Sequence, residues 1–106
     1  MTTFDRREET FERKFALDEE LKFKAEARRN KLLGLWVAHQ LGLSGDAASA
    51  YAKDVVAADF EASGDGVVRK VTADLNAKGI VMAEAQLHAQ MNDLMAQAVL
   101  QVKAGE

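Results

Sequence analysis

The chain has no cysteine and no proline in 106 residues, and only one tryptophan, one tyrosine and seven glycines. Without cysteine there is no disulfide framework, cysteine-ligated zinc site, CxxC redox centre or cysteine nucleophile. Without proline nothing in the chain breaks a long helix by removing a backbone donor. No window approaches the ~18 apolar residues of a membrane span. A surplus of positive charge is missing too: 14 Lys and Arg against 17 Asp and Glu give a net charge of -3. That argues against a general nucleic-acid binder, which needs excess cations to displace counterions from phosphate. Residues 1–15 mix both charge signs, unlike a signal peptide or an acid-poor transit peptide.

What is present suits one helical domain. Apolar residues make up 48 % of the chain and charged residues 29 %, and a chain of this length buries roughly two-thirds of the surface that its unfolded form exposes. Charge is concentrated at the start, where residues 1–31 hold 9 basic and 8 acidic side chains. Abundant alanine, and glycines placed where helices end, predict an all-α four-helix bundle. The first helix is expected over residues 3–41, capped by Thr2 or Thr3 and stopped at Gly42. The second follows the cap Ser44 and runs to about Ala62, before a turn at Ser63-Gly64-Asp65-Gly66. The third is capped by Asp65 or starts just after it, carries Val68, Val71 and Leu75 on one face, and ends at Lys78-Gly79. The fourth spans residues 83–103, with Leu87, Met91, Leu94, Ala98 and Val102 at three- and four-residue spacing. Val67-Val68 and Ile80-Val81-Met82 are too short to make an independent sheet.

The first helix carries two apolar stripes. At 100° per residue, with Phe4 at zero, Phe11 and Phe15 fall at about -20° and +20°. That line then becomes charged at Asp18 and Lys22. A second stripe of Leu17, Leu21, Ala25, Leu32, Leu35, Trp36 and His39 opens near about 260° and is read as the bundle face. Glu9 and Arg13, Asp18 and Lys22, and Glu20 and Lys24 are spaced i,i+4, each pair worth only ~0.3 kcal/mol. A segment of ~15 residues without tertiary packing is marginally helical. Residues 1–17 are therefore expected to be a flexible, nascent helix in the free protein, separate from a bundle over residues 18–106. Burying three Phe side chains contributes ~5–9 kcal/mol at ~1.5–3 each, against ~2–5 kcal/mol for coupled folding and binding. The stripe thus suits an amphipathic helix in a partner's groove, with packing on the chain's own bundle or in a homodimer as the alternatives.

Catalytic and metal chemistry are poorly supported. His39 and His88 lie far apart in sequence, with no expected i,i+4 carboxylate–histidine arrangement of the kind that holds metals on helices. His39 is read as half-buried and Trp36 as core. No Walker-type or GxGxxG loop is present, no nucleophile–base pair is recognisable, and Asp18, Glu19 and Glu20 read as a solvated face. The chain is not expected to be an enzyme or to carry a cofactor or metal. Lys22, Lys24, Arg28 and Arg29, with Lys31, are a possible anion contact for phosphate or an acidic protein surface. That set keeps a nucleotide-binding or sensing bundle as a rival reading, beside a structural homodimer.

The residues themselves resemble a known family. Thr3-Phe4-Asp5, Arg7-Glu8-Glu9, Lys14-Phe15-Ala16, Asp18-Glu19-Glu20-Leu21 and above all residues 23–36 (FKAEARRNKLLGLW) look like the inhibitor subunit zeta of alphaproteobacterial ATP synthases. The similarity continues through Leu41-Gly42-Leu43-Ser44-Gly45, Ala58-Asp59-Phe60-Glu61 and Arg69-Lys70-Val71. The resemblance implies a four-helix bundle whose N-terminal segment inserts between the catalytic α and β subunits near the γ shaft and blocks ATP hydrolysis. That segment corresponds here to residues 1–17. Phe4, Phe11 and Phe15 are then the anchors suggested by the stripe, with Asp5, Arg6, Arg7, Glu8, Glu9, Glu12, Arg13 and Lys14 as orienting rim charges. The implied protein is monomeric when free, binds no nucleic acid and inserts in no membrane. It is cytoplasmic, peripheral to the inner membrane through the synthase. The sequence departs from the family pattern at Ala83, where a Ser or Thr cap is usual, and in a short turn at Gly64-Asp65-Gly66-Val67.

Overall fold

The computed structural model describes residues 2–60 and 65–105, with side chains from Glu19 onward. Among these residues it is all-α, with four helices in order: α1 (Thr2–Gln40), α2 (Gly45–Ala58), α3 (Gly66–Ala77) and α4 (Glu84–Lys103). The expected cap at Thr2 or Thr3 and the flexible segment over residues 1–17 concern side chains and order outside this description.

Glycine ends the helices as expected. Gly42 takes φ +82; its N–H donates to the His39 carbonyl at 3.1 Å, and the Leu43 N–H donates to the Ala38 carbonyl at 2.8 Å. This pair of bonds is a Schellman motif, which satisfies carbonyls that the helix leaves open. Gly79, at φ +78, repeats it with Gly79 N–H to Asn76 and Ile80 N–H to Leu75, both at 2.9 Å. Ser44 and Asp65 occupy N-cap positions, though neither side chain bonds a helix N–H. α4 starts directly after Ala83 despite the absence of a hydroxyl cap. There the Gln86 side chain reaches back and accepts the Ala83 N–H at 3.2 Å, half of a capping box.

α2 ends at Ala58, earlier than the expected Ala62. The next two amides make only tight i→i-3 bonds, Asp59 to Val56 and Phe60 to Ala57. Helix propensity does not end at Ala58, but the two described residues beyond it, Asp59 and Phe60, are both exposed, Phe60 at 76 %. Residues 61–64, including most of the predicted turn, lie outside the described residues.

The core draws on all four helices: Leu33 and Val37 from α1, Val55 and Ala58 from α2, Val67, Val71 and Leu75 from α3, and Leu87, Met91 and Leu94 from α4. α1 is the spine, packed along α2 and α4 and more lightly against α3. Its buried face is not the one the stripe predicted. Asn30, Leu33, Gly34 and Val37 are buried and fall at about 80°, 20°, 120° and 60° on the wheel. Of the predicted stripe, Ala25 is buried, Leu21, Leu32, Leu35 and Trp36 are half-buried, and His39 is exposed rather than half-buried. A helix flanked by several neighbours is apolar on more than one face, so the side chains at the contact margins look as hydrophobic as those at the centre. Trp36 packs against the core from its edge. On α3 the deeper residue at the first turn is Val67, with Val68 half-buried.

Candidate functional site

Beyond the N-terminal stripe, the chemistry of the molecule gathers on α1 between residues 20 and 31. The four cations singled out from the sequence do not converge there. At 100° per residue, Lys24 and Arg28 stand within about 40° of each other, whereas Lys22 and Arg29 lie about 100° or more away from both. Lys22 lines a groove of about 310 Å³ between α1 and α4, with Leu21, Ala25, Met95, Val99 and Lys103. Arg29 folds back along its own helix, and its Nε and Nη2 donate to Asn30 Oδ1 at 3.2 and 3.0 Å. Asn30 is fully buried and its Nδ2 has no hydrogen-bond partner.

Lys24 and Arg28 are joined by a residue that belonged to the basic run but not to the core of that set, Lys31. These three cations line a groove of about 600 Å³ with the aromatic ring of Phe23, over apolar surface from Leu21, Ala27, Val56 and Val102. Phe23 is 67 % exposed. Lys31 and Val56 continue into a second depression of about 670 Å³ between α1 and α2, where Lys53 adds a fourth cation. Among the described residues no carboxylate lines either depression. Arg28 is held in place by donating from Nη1 to Gln101 Oε1 of α4 at 3.0 Å. Lys24 meets Glu20 one turn earlier at 3.2 Å, in an exposed pair. Such a pair contributes only ~0.3–0.5 kcal/mol, so a stronger partner can readily displace it. Of the predicted solvated face, Glu19 and Glu20 are exposed; Asp18 lies outside the described side chains.

The histidines make no metal centre. A carboxylate–histidine pair at i,i+4 does exist, contrary to expectation, because His88 Nε2 lies 3.5 Å from Glu84 Oε1. Both side chains are exposed, and among the described residues no group of three metal-ligating side chains comes together. The helical rise that brings Glu84 under His88 was visible in the sequence as a four-residue spacing.

Elsewhere, one polar cluster ties α2 to α3. Tyr51 donates its hydroxyl hydrogen to Asp74 Oδ2 at 2.7 Å. Lys70 Nζ sits 3.2 Å from the same oxygen and 5.0 Å from the Tyr51 ring centre. Burial, and then the hydrogen bond and charge of Asp74 with the charge of Asp54, push the Tyr51 phenol well above its ordinary range. This cluster is structural, and sequence reading missed it because its members are spread over two helices.

The predicted inhibitory residues, Phe4 to Phe15, lie on the first turns of α1, and their side chains are outside the described residues. No helix among the described residues is long and apolar enough to cross a membrane.

Comparison with known proteins places this arrangement in context. A family model described as ATPase inhibitor subunit zeta matches residues 1–101. A protein solved by solution NMR is 53 % identical and superposes with a TM-score of 0.69, over 81 % of this chain and 99 % of that one. No curated protein matches.

Proposed function

The chain belongs to the ATPase inhibitor subunit zeta family, and on that premise we propose that it stops ATP hydrolysis by the catalytic head of rotary ATP synthase. The observation that carries this reading is that the family match begins at residue 1 and runs to residue 101. It therefore includes the aromatic N-terminal segment as well as the bundle. Residues 1–17 are the inhibitory element and residues 18–106 its carrier.

The mechanism is steric. Hydrolysis drives each catalytic interface through open and closed states. A helix that docks while an α/β interface is closing, near the γ shaft, holds it in one state. Occupancy follows from the helix's greater affinity for that state. Phe4, Phe11 and Phe15 are the buried anchors, and the charges from Asp5 to Lys14 set orientation and register at the rim. No group of this chain takes part in bond making. The free chain is monomeric and needs no cofactor.

ATP hydrolysis by the isolated catalytic head of the source organism's synthase tests this directly, titrated with the full chain and with a version lacking residues 1–17. The full chain is expected to inhibit and the shortened one to lose at least 100-fold in potency. Equal potency of the two would move the function into the bundle, and no inhibition by either would end the proposal.

A further inference from the structure

We propose that the basic furrow of Phe23, Lys24, Arg28, Lys31 and Lys53 is a second docking surface for the same catalytic head, taking an acidic amphipathic segment of it. The inference rests on the inhibitory reading and adds a contact to it. Three observations carry it. The first is charge: in a chain of net charge -3, the described residues that line two adjoining depressions include four cations and no carboxylate. A partner with clustered carboxylates is the complementary surface, and such complementarity fixes register and speeds encounter. The second is the aromatic ring. Phe23 is 67 % exposed and lines the first depression beside Lys24, Arg28 and Lys31, with Ala27, Val56 and Val102. An exposed aromatic in an apolar depression with charged margins has the make-up of an interface anchor.

The third is position. α1 is one helix from Thr2 to Gln40, so Phe23 lies eight residues, about 12 Å at 1.5 Å per residue, beyond Phe15. When the N-terminal turns are docked, the furrow is delivered to the mouth of the same binding site. Arg28 is pre-positioned by Gln101 at 3.0 Å, which lowers the ordering cost of using it. The groove on the α4 side, with Lys22 and Lys103, has no exposed aromatic among its described lining residues and is not part of this surface.

The test uses the full chain. Lys31→Glu with Lys53→Glu, alone and combined with Phe23→Ala, are titrated against ATP hydrolysis by the isolated head at several salt concentrations. Lys78→Glu at the end of α3 serves as the charge control, and helical circular dichroism and melting check that each variant is folded. The concentration for half-inhibition is expected to rise at least tenfold in the furrow variants and not in the control. Its dependence on salt is expected to flatten, because two charge pairs have been removed. Inhibition by the native chain with unmoved half-inhibition in the furrow variants overturns the furrow and leaves the N-terminal mechanism standing. A native chain that does not inhibit removes both. A photo-crosslinking benzoylphenylalanine in place of Phe23 identifies the occupant. The expected product joins the chain to an acid-rich segment of a head subunit; a product with a second copy of the chain, or none, overturns the assignment.

Discussion

Gly34 of α1 sits directly against the backbone of α2. A Cβ there would lie 2.5 Å from the Ala52 Cα and 3.2 Å from the Val55 Cβ. The first neighbour is backbone and cannot rotate away, so an added methyl group must push two helices apart. Alanine is better than glycine in a helix by ~1 kcal/mol, but overpacking against backbone costs ~1–3 kcal/mol, and here the second effect is expected to win. Gly34→Ala is therefore expected to destabilise the bundle by about 1–2 kcal/mol and lower its melting midpoint by roughly 5–10 °C, measured by thermal circular dichroism. In the sequence this glycine reads only as a mild interruption of a helix. What it accommodates is a residue 18 positions away, and no local pattern reports that.

At the scale of elements, the α2–α3 contact adds one shared carboxylate to its apolar core. Asp74 accepts from Tyr51 at 2.7 Å and pairs with Lys70 at 3.2 Å. Tyr51→Phe keeps the ring over which Lys70 lies but leaves Asp74 short of a donor, an expected loss of about 1 kcal/mol. The raised phenol pKa gives this contact a pH signature. An unfolded tyrosine ionises near pH ~10, whereas the folded one holds its proton to higher pH. The folded state therefore binds more protons above that point, and stability is full below pH ~10 and falls as pH rises further. Denaturant unfolding across that range is expected to show the decline in the native chain and a shallower one in Tyr51→Phe. Tyr51 is the only tyrosine, so tyrosinate absorbance reports this group alone. Helix number and most helix ends were legible because Gly42, Gly79 and Ser44 act locally, through backbone conformation and capping position. The end of α2 was not, since propensity continues past Ala58 where packing stops. Nor was the inner face of α1, because a periodicity argument assumes one buried face and this helix has several neighbours.

For the whole molecule, the proposed division of labour has a thermodynamic consequence. With residues 1–17 as the inhibitory element and the bundle as its carrier, a chain lacking residues 1–17 is expected to melt within ~3 °C of the full chain, while losing inhibition. A larger drop would mean that the N-terminal segment helps to hold the bundle, as the alternative of packing on the chain's own surface requires. The basic part of the site was half legible: five cations stood out in the sequence, and helix geometry sorted them. Lys24, Arg28 and Lys31 fall together, Lys22 and Arg29 turn elsewhere, and Lys53 joins from α2, a contribution only tertiary structure reveals.

The continuity of α1 from Thr2 to Gln40 also sets a phase. Each residue of a helix advances the chain by 1.5 Å and turns it by 100°. The compass bearing of the bundle about the helix axis is thus tied to the bearing of the N-terminal aromatic stripe, as a flag is tied to its pole. Under the proposed docking, a pole seated in the rotary head would give the bundle one azimuth rather than a cone of them. It would make the bundle a fixed outrigger on the machine, with its lever arm aimed by residue count alone.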